Sequence, residues 1–154
     1  MSKQIVKSLT MLTLVVGLVM AAAVVSANGQ STTMFVTADI PFDFVVADKT
    51  LPSGKYTARE TSSNALIIRS DDGKSSAIRL GNSNVDKSKE RNARLVFHRY
   101  GQQYFLAEVW SGDKYGRQLL RCDKERHARQ EWLASKNDSG KGSYEVVEIL
   151  AQVR

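Results

Sequence analysis

The sequence predicts an all-β protein with mainly antiparallel strands. About eight strands form a barrel or a sandwich, and one helix in the C-terminal half precedes the last strand. Three observations predict this fold class. Apolar and polar residues alternate with a period of two in short segments, turn residues separate these segments, and a single stretch free of glycine and proline has apolar residues at helical spacing. We expect the final strand to return after the helix and pair with the first strand, which closes the sheet.

The N-terminus has the order of a secretory signal. Lys3 and Lys7 precede an uncharged apolar run over residues 9–25, and small residues lead up to Ala27. The length of the run also fits an uncleaved membrane anchor, which is the alternative. We favour cleavage after Ala27, so that residues 1–27 are a signal peptide that meets the membrane only during export. The mature protein is then periplasmic or extracellular.

The mature chain is mildly basic and holds one cysteine. The formal charge of +6 falls to +4 without Lys3 and Lys7. This charge is small for a nucleic-acid-binding protein, and export removes most nucleic-acid partners, but it permits attraction to anionic envelope components. Cys122 cannot form an internal disulfide. It is either buried, which we favour, or open to an intermolecular partner.

Residues 28–33 are a polar leader, and residues 34–154 are predicted to form a single β-rich domain. In its first half, alternation predicts strands at residues 34–40, 42–46, 55–59, 65–70 and 76–80. The turn signals between them are Leu51-Pro52-Ser53-Gly54, Ser62-Ser63-Asn64 and Asp71-Asp72-Gly73-Lys74. From Gly81 to Asn92 the chain is polar and charged, which predicts a surface loop or a frayed helical turn.

The most apolar segment, Arg94–Trp110, predicts two strands joined by a tight turn at Gly101-Gln102. Both faces of both strands carry apolar residues, so another element must cover the outer face. The predicted cover is a helix around residues 117–135, with Leu120, Ala128 and Trp132 on one side.

Charged residues on this helix are expected to face water, with Glu125 and Arg129 as a surface ion pair. The chain then ends on a strand whose inward face carries Val147, Ile149, Ala151 and Val153.

Three blocks, PFDFVVADKTLPSGKY, IRSDDGKSSAIRL and LVFHRYGQQYFLAEVW, together resemble a family of small, uncharacterised, exported proteins of soil bacteria. The resemblance covers roughly Phe35 to Trp132. It implies a shared fold and export, and it carries over no catalytic or ligand residue.

Few residues offer chemistry. His98 lies mid-strand with no nucleophile near it, and packing is the usual fate of such a histidine. His127 has Asp123 and Glu131 four positions away on either side, a spacing that fits a metal site but is also the ordinary pattern of a solvated helix. We therefore predict no catalytic residue, no cofactor and no metal.

The aromatic residues offer the only candidate ligand contacts. Tyr100, Tyr104 and Trp110 present an apolar ring face with a polar group, which suits a sugar or another planar ligand. Core packing is the competing interpretation for all three residues.

These observations favour an exported, non-enzymatic β domain that acts as an envelope or extracellular binding or structural module. Two alternatives stay open. One is a barrel-type carrier of a small apolar ligand, which rests on architecture alone. The other is a secreted hydrolase that uses His98 with a distant acid.

Overall fold

The computed structural model describes residues 35–61, 64–85, 92–135 and 144–153. In these residues the chain forms eleven strands and one helix, α1 (Asp123–Ser135), which precedes the last two strands. The strands are β1 (Phe35–Ile40), β2 (Phe44–Val46), β3 (Lys49–Leu51), β4 (Gly54–Glu60), β5 (Ala65–Ser70), β6 (Ser76–Val85), β7 (Ala93–Tyr100), β8 (Gln103–Ser111), β9 (Tyr115–Leu119), β10 (Glu145–Leu150) and β11 (Gln152–Val153).

The strands hydrogen-bond in the order β10-β7-β8-β9-β6-β5-β4-β1-β11, and every ladder along this path is antiparallel. The chain changes its pairing partner at two points, one within β6 and one between β10 and β11. The first half of β6 pairs with β5, and from Gly81 onward it pairs with β9. Only Ala151 separates β10, which pairs with β7, from β11, which pairs with β1. The sheet is therefore divided at Gly81 and Ala151 into two halves that share one core.

The first of these two division points is a glycine, Gly81. A Cβ on Gly81 would lie 3.1 Å from the carbonyl oxygen of Gln118 on β9, closer than nearly all real Cβ contacts. The missing side chain lets β6 and β9 approach where β6 leaves its first partner. Arg117, which precedes Gln118 on β9, binds both Ser83 on β6 and Glu60 on β4. A polar contact therefore also joins the two halves.

The core lies between the halves and receives inward side chains from β1 to β9. Phe44 packs edge-to-face on Tyr56 and Phe97, with ring centroids 5.0 and 5.6 Å apart. The hydroxyl of buried Tyr56 donates to the carbonyl of Pro52 at 2.7 Å, so the Pro-Ser-Gly turn is tied to the core. The other fully buried large side chains are Phe105, Ile40, Leu51, Leu66, Ile68, Val36, Val46 and Val109.

The outer face of β7 and β8 is covered by α1, as the sequence predicts. Ala128 of the helix packs in a second cluster with Val45, Tyr100 and Phe105. The turn at Gly101-Gln102 is also confirmed, because Gly101 has a φ of 63° and its neighbours Tyr100 and Gln103 are paired. Trp132 packs over this turn, 3.5 Å from where a Cβ on Gly101 would lie.

The predicted mainly antiparallel all-β fold with a helix before the last strands is confirmed. Its details differ from the expectation. The described residues form eleven strands rather than about eight, because β3 and β9 show no clear alternation and the predicted last strand is divided at Ala151 into β10 and β11. The sheet is not closed by a continuous ladder: only Gln152 and Val153 pair with β1, and the rest of the last segment pairs with β7.

Two boundaries were wrong. The helix begins at Asp123 and not near Arg117, because Tyr115–Leu119 forms ladders with β6 and β8 and this double pairing outweighs helix propensity. Leu120 consequently lies outside the helix and is exposed. The expected loop begins later than Gly81, since β6 continues to Val85. The predicted signal peptide and polar leader lie outside the described residues.

In the part of the chain that the structure describes, no helix is both long enough and apolar enough to span a membrane.

Replacing Gly116 with alanine should destabilise the fold. A Cβ at this position would lie 2.3 Å from the ring of Trp110 and 2.8 Å from the carbonyl oxygen of Val109. Overpacking of this kind costs about 1–3 kcal/mol. We expect urea denaturation, followed by tryptophan fluorescence, to show a loss of this size in the free energy of unfolding.

The matched control is Gln118→Ala, at an exposed position on the same strand, which should change the free energy of unfolding by less than about 0.5 kcal/mol. Equal stability of Gly116→Ala and wild type would contradict the packing of Trp110 over β9.

Candidate functional site

The β2–β3 turn places a carboxylate at the start of α1. Its two residues, Ala47 and Asp48, have φ values of 51° and 65°, as in a type I′ turn. Alanine is unfavourable in this conformation, so the turn is held by its surroundings. Asp48 Oδ1 accepts a hydrogen bond from the backbone N–H of Lys124 at 2.8 Å. Asp48 therefore caps the first turn of α1 from a separate element.

Two side chains hold the segment between β9 and α1. The Lys124 hydrogen bond lowers the pKa of Asp48, and the positive charge of Arg79 acts in the same direction. Arg79 itself donates from Nε and Nη2 to the carbonyl oxygens of Leu120 and Arg121, at 2.9 and 2.8 Å. The start of the helix is thus fixed to both β2–β3 and β6.

A buried carboxylate binds a buried imidazole beneath α1. Glu125, in the first turn of the helix, is 4% exposed, and His98 on β7 is 7% exposed. His98 Nδ1 lies 2.8 Å from Glu125 Oε1, and the hydroxyl of Tyr100 donates to the same oxygen at 3.3 Å. Burial, with the neighbouring carboxylate, raises the pKa of Tyr100 to about 12, so this hydroxyl stays protonated and can donate.

Half-buried Tyr144 and exposed Arg121 border this buried pair. The Tyr144 ring lies against the His98 ring, with centroids 3.9 Å apart. The Arg121 guanidinium lies 5.8 Å from the centroid of the Tyr144 ring, and its Nε is 3.6 Å from Glu125 Oε1. His98 is therefore enclosed by its partners and positioned to hold the helix on the sheet.

Cys122 is buried, as expected, and lies between β9 and α1. Burial raises the pKa of its thiol, and a hydrogen bond to the negatively charged Asp48 adds to the increase. A reactive cysteine needs the opposite environment, one that favours the thiolate. The Cys122 thiol is consequently protonated at neutral pH and is a poor nucleophile.

A groove of about 450 Å³ opens between the β2–β3 hairpin, the β7–β8 turn and α1. Val45 and Ala128 provide its apolar surface. Its polar lining includes Asp43, Thr50, Gln102, Gln103, Lys124 and Glu131. The groove thus combines two carboxylates, two amides, a hydroxyl and an amine from three separate elements, and these groups can both donate and accept hydrogen bonds.

The rings of Tyr104 and His127 also line the groove. The ring of Tyr104 stacks on Phe42, with centroids 3.8 Å apart and an interplanar angle of 14°, and the Arg99 guanidinium lies 5.4 Å from its centroid. The protein itself therefore contacts this ring, and hydrogen-bonding groups are the main contacts that the groove offers. The exposed imidazole of His127 adds a further polar group.

Two other recesses are less suited to a ligand. One, of about 410 Å³, lies between the Pro52 turn and the β5–β6 turn, but its polar groups bind one another: the Ser70 hydroxyl donates to Asp72 at 2.6 Å and Asp72 accepts from Lys74 N at 3.1 Å. A smaller recess of about 210 Å³ shares Gln103 and Glu131 with the groove and extends its reach along α1.

The structure does not bring the three predicted ligand-contact residues together. Tyr100 is buried beneath α1, where it borders the smaller recess next to the groove, Tyr104 lines the groove, and Trp110 lies at the far end of β8. Trp110 lies seven positions along β8 from Gln103, the partner of Tyr100, which corresponds to about 23 Å of strand. Trp110 donates to Glu108 at 2.8 Å and lies under Arg94. The three rings do not share one surface.

The expected surface pair of Glu125 and Arg129 was wrong, because Glu125 faces the sheet and binds His98 and Tyr100. The three residues considered as a metal site have different surroundings: Asp123 binds Arg126, whereas His127 and Glu131 line the groove. Within the described ranges, no three histidine, cysteine or acidic side chains gather closely enough to hold a metal ion.

No protein-family model, no curated protein and no solved structure matches this chain. The resemblance to exported proteins of soil bacteria stays a prediction.

Removing the buried carboxylate should strongly destabilise the protein. Glu125→Ala leaves the buried His98 and Tyr100 side chains without their common hydrogen-bond partner, and each buried polar group left unsatisfied costs about 1–3 kcal/mol. We expect the free energy of unfolding in urea to fall by this amount. Glu131→Ala, on an exposed part of the same helix, is the control and should change it by less than about 0.5 kcal/mol.

The double variant His98→Phe/Glu125→Leu replaces both polar partners with apolar groups, so it should recover much of the lost stability. A double variant no more stable than Glu125→Ala would show that the pair itself is not what the site requires.

Asp48 should stabilise the fold in a pH-dependent way. Its folded pKa is lowered, so the stabilisation by the carboxylate is fully present above the unfolded value of about 3.9 and is lost as the pH falls through the folded pKa. Asp48→Asn should therefore be less stable than wild type at neutral pH and equally stable in strong acid. Urea denaturation across this pH range tests the convergence, with Asp71→Asn, an exposed turn carboxylate, as the control variant.

Proposed function

We propose that the protein is an exported, non-enzymatic binding module whose ligand occupies the groove beside α1. The observation that carries this proposal is the groove lining, in which three separate elements bring carboxylate, amide, hydroxyl and amine groups around a small apolar surface. Concave sites with a few convergent polar groups are typical of ligand binding. The secretory order of the N-terminus supports a periplasmic or extracellular location.

The ligand class that best fits is a polar, hydroxyl-rich molecule such as a short saccharide. Asp43 and Glu131 can accept hydrogen bonds from hydroxyl groups, while Gln102 and Gln103 can both donate and accept. Lys124 offsets only one of the two carboxylates, so the groove favours a neutral or weakly cationic ligand over an anionic one.

Two observations support a non-enzymatic role. His98 is buried, and its Nδ1 lies 2.8 Å from Glu125, so this imidazole faces the inside of the fold and not the groove. The Cys122 thiol is buried next to the Asp48 carboxylate, in an environment that opposes thiolate formation.

The core gives less support to a carrier of a small apolar ligand. The space between the two halves of the sheet is occupied by large side chains in mutual contact, with Phe97 reached by both Phe44 and Phe42, the latter at a centroid distance of 5.2 Å. An internal ligand would have to displace these rings.

Backbone NMR of the protein titrated with neutral and amino-sugar oligosaccharides tests the proposal. We expect shifts at Gln102, Gln103, Thr50 and Lys124, which surround the groove. Glu131→Ala removes a charged hydrogen-bonding group, so it should weaken binding about ten-fold or more. Gln130→Ala, at an exposed neighbouring position outside the groove, is the matched control and should bind like wild type.

Two results would contradict the proposal. One is binding of a fatty acid, with shifts at core residues such as Phe97, in place of oligosaccharide binding at the groove. The other is turnover of ester, glycoside or peptide substrates that is lost in His98→Ala.

A further inference from the structure

The outer face of β5 and β6 carries exposed aliphatic side chains. Ile78 and Leu80 on β6 are 61% and 55% exposed, and Leu120, directly after β9, is 45% exposed. Strand positions that face water are usually polar in antiparallel sheets. Two large aliphatic residues at such positions, with exposed Leu120 next to them, are typical of a surface that binds a partner.

The strand register brings these residues together. Ile67 on β5 pairs with Ile78, and Ile78 and Leu80 are two positions apart on the same face of β6. The backbone N–H of Leu120 donates to the carbonyl oxygen of Leu80 at 3.1 Å, which places Leu120 beside it. We name Ile67, Ile78, Leu80 and Leu120 the apolar patch.

Basic residues border the apolar patch. Exposed Arg59 on β4 pairs with Ile67, and exposed Arg69 is two positions from Ile67 on the same face. The outward positions of β4, β5 and β6, all within the described ranges, hold these two arginines and Lys55 but no acidic residue.

In the part of the chain that the structure describes, the acidic residues near this face lie around its rim in the strand register. Asp39 on β1 pairs with Lys55, and Asp72 in the β5–β6 turn lies 3.7 Å from the amine of Lys74. Asp71 occupies the same turn. The apolar patch therefore lies next to positive charge, with carboxylates placed toward the edge.

We propose that the apolar patch and its bordering arginines dock on an anionic phospholipid bilayer. The complementarity is one of charge and polarity: aliphatic side chains enter the boundary between headgroups and acyl chains, while guanidinium groups bind phosphate. The ladders hold Ile67, Ile78 and Leu80 in place and a backbone hydrogen bond ties Leu120 to Leu80, so docking requires no ordering of the backbone at this surface. The inference is independent of the groove and of any ligand there.

An environment-sensitive fluorophore on Ser76→Cys tests this docking in the full chain. Ser76 is an exposed outward residue two positions from Ile78, and the native Cys122 is buried, so labelling is selective. We expect a blue shift on addition of vesicles of phosphatidylglycerol and phosphatidylcholine, reversed by salt and absent with phosphatidylcholine alone. The same fluorophore on Gln102→Cys, in the β7–β8 turn, should not respond. Because the readout is local, it does not depend on membrane binding by the N-terminal segment.

Substitutions give the expected magnitudes. Ile78→Ser and Leu80→Ser should each lower the vesicle partition constant about ten-fold, since each removes a large aliphatic side chain. Arg59→Gln and Arg69→Gln should each lower it about five-fold. Val85→Ser, an exposed apolar position of β6 outside the patch, should leave it unchanged.

Three outcomes would overturn the proposal: a silent Ser76 fluorophore with anionic vesicles, an equal shift with neutral vesicles, or a shift that survives the patch substitutions. A shift that appears without vesicles as the protein concentration rises would assign the patch to a second copy of this chain and would also overturn it.

Discussion

Strands β7 and β8 are apolar on both faces, and much of the molecule follows from this constraint. One face, with Phe97, Leu106 and Val109, forms part of the common core. The other face, with Tyr100 and Phe105, needs a cover, because apolar surface left in water costs about 25 cal/mol per Å². Helix α1 supplies that cover. Its position against two hairpins also creates the groove, so the candidate binding site is a by-product of how the second face is buried.

The helix is not held by apolar contacts alone. Its overall character is polar, and Ala128 is its only buried apolar residue in the described structure. Polar contacts hold it in place. Asp48 accepts a hydrogen bond from the backbone N–H of Lys124, Arg79 donates to the carbonyl oxygen of Leu120 just before the helix, and Glu125 binds His98. Buried charged pairs contribute more to a unique arrangement than to net stability in several systems. Here the contact of Glu125 with His98 ties the first turn of α1 to β7.

The sequence predicts this fold where the determinants are local. The Arg94–Trp110 hairpin could be read from alternation and from Gly101, because a strand pattern and its turn lie within a few residues. The start of α1 could not, since Arg117–Leu119 consists of residues that also suit a helix and only its two neighbouring strands decide otherwise. The contacts that position α1 beside the candidate site could not be predicted for the same reason. Glu125 has an ordinary surface spacing with Arg129, while its actual partner is 27 positions away, and Asp48 and Lys124 are 76 positions apart.

The pairing of Val36 with Val153 joins the two ends of the described fold. During synthesis, β1 is made long before β11, so one edge of β1 has no strand to bind until β11 has emerged. Contacts between distant positions slow folding, because the intervening loop must be closed before the contact forms. We therefore expect the ladder between β1 and β11 to be among the last to form.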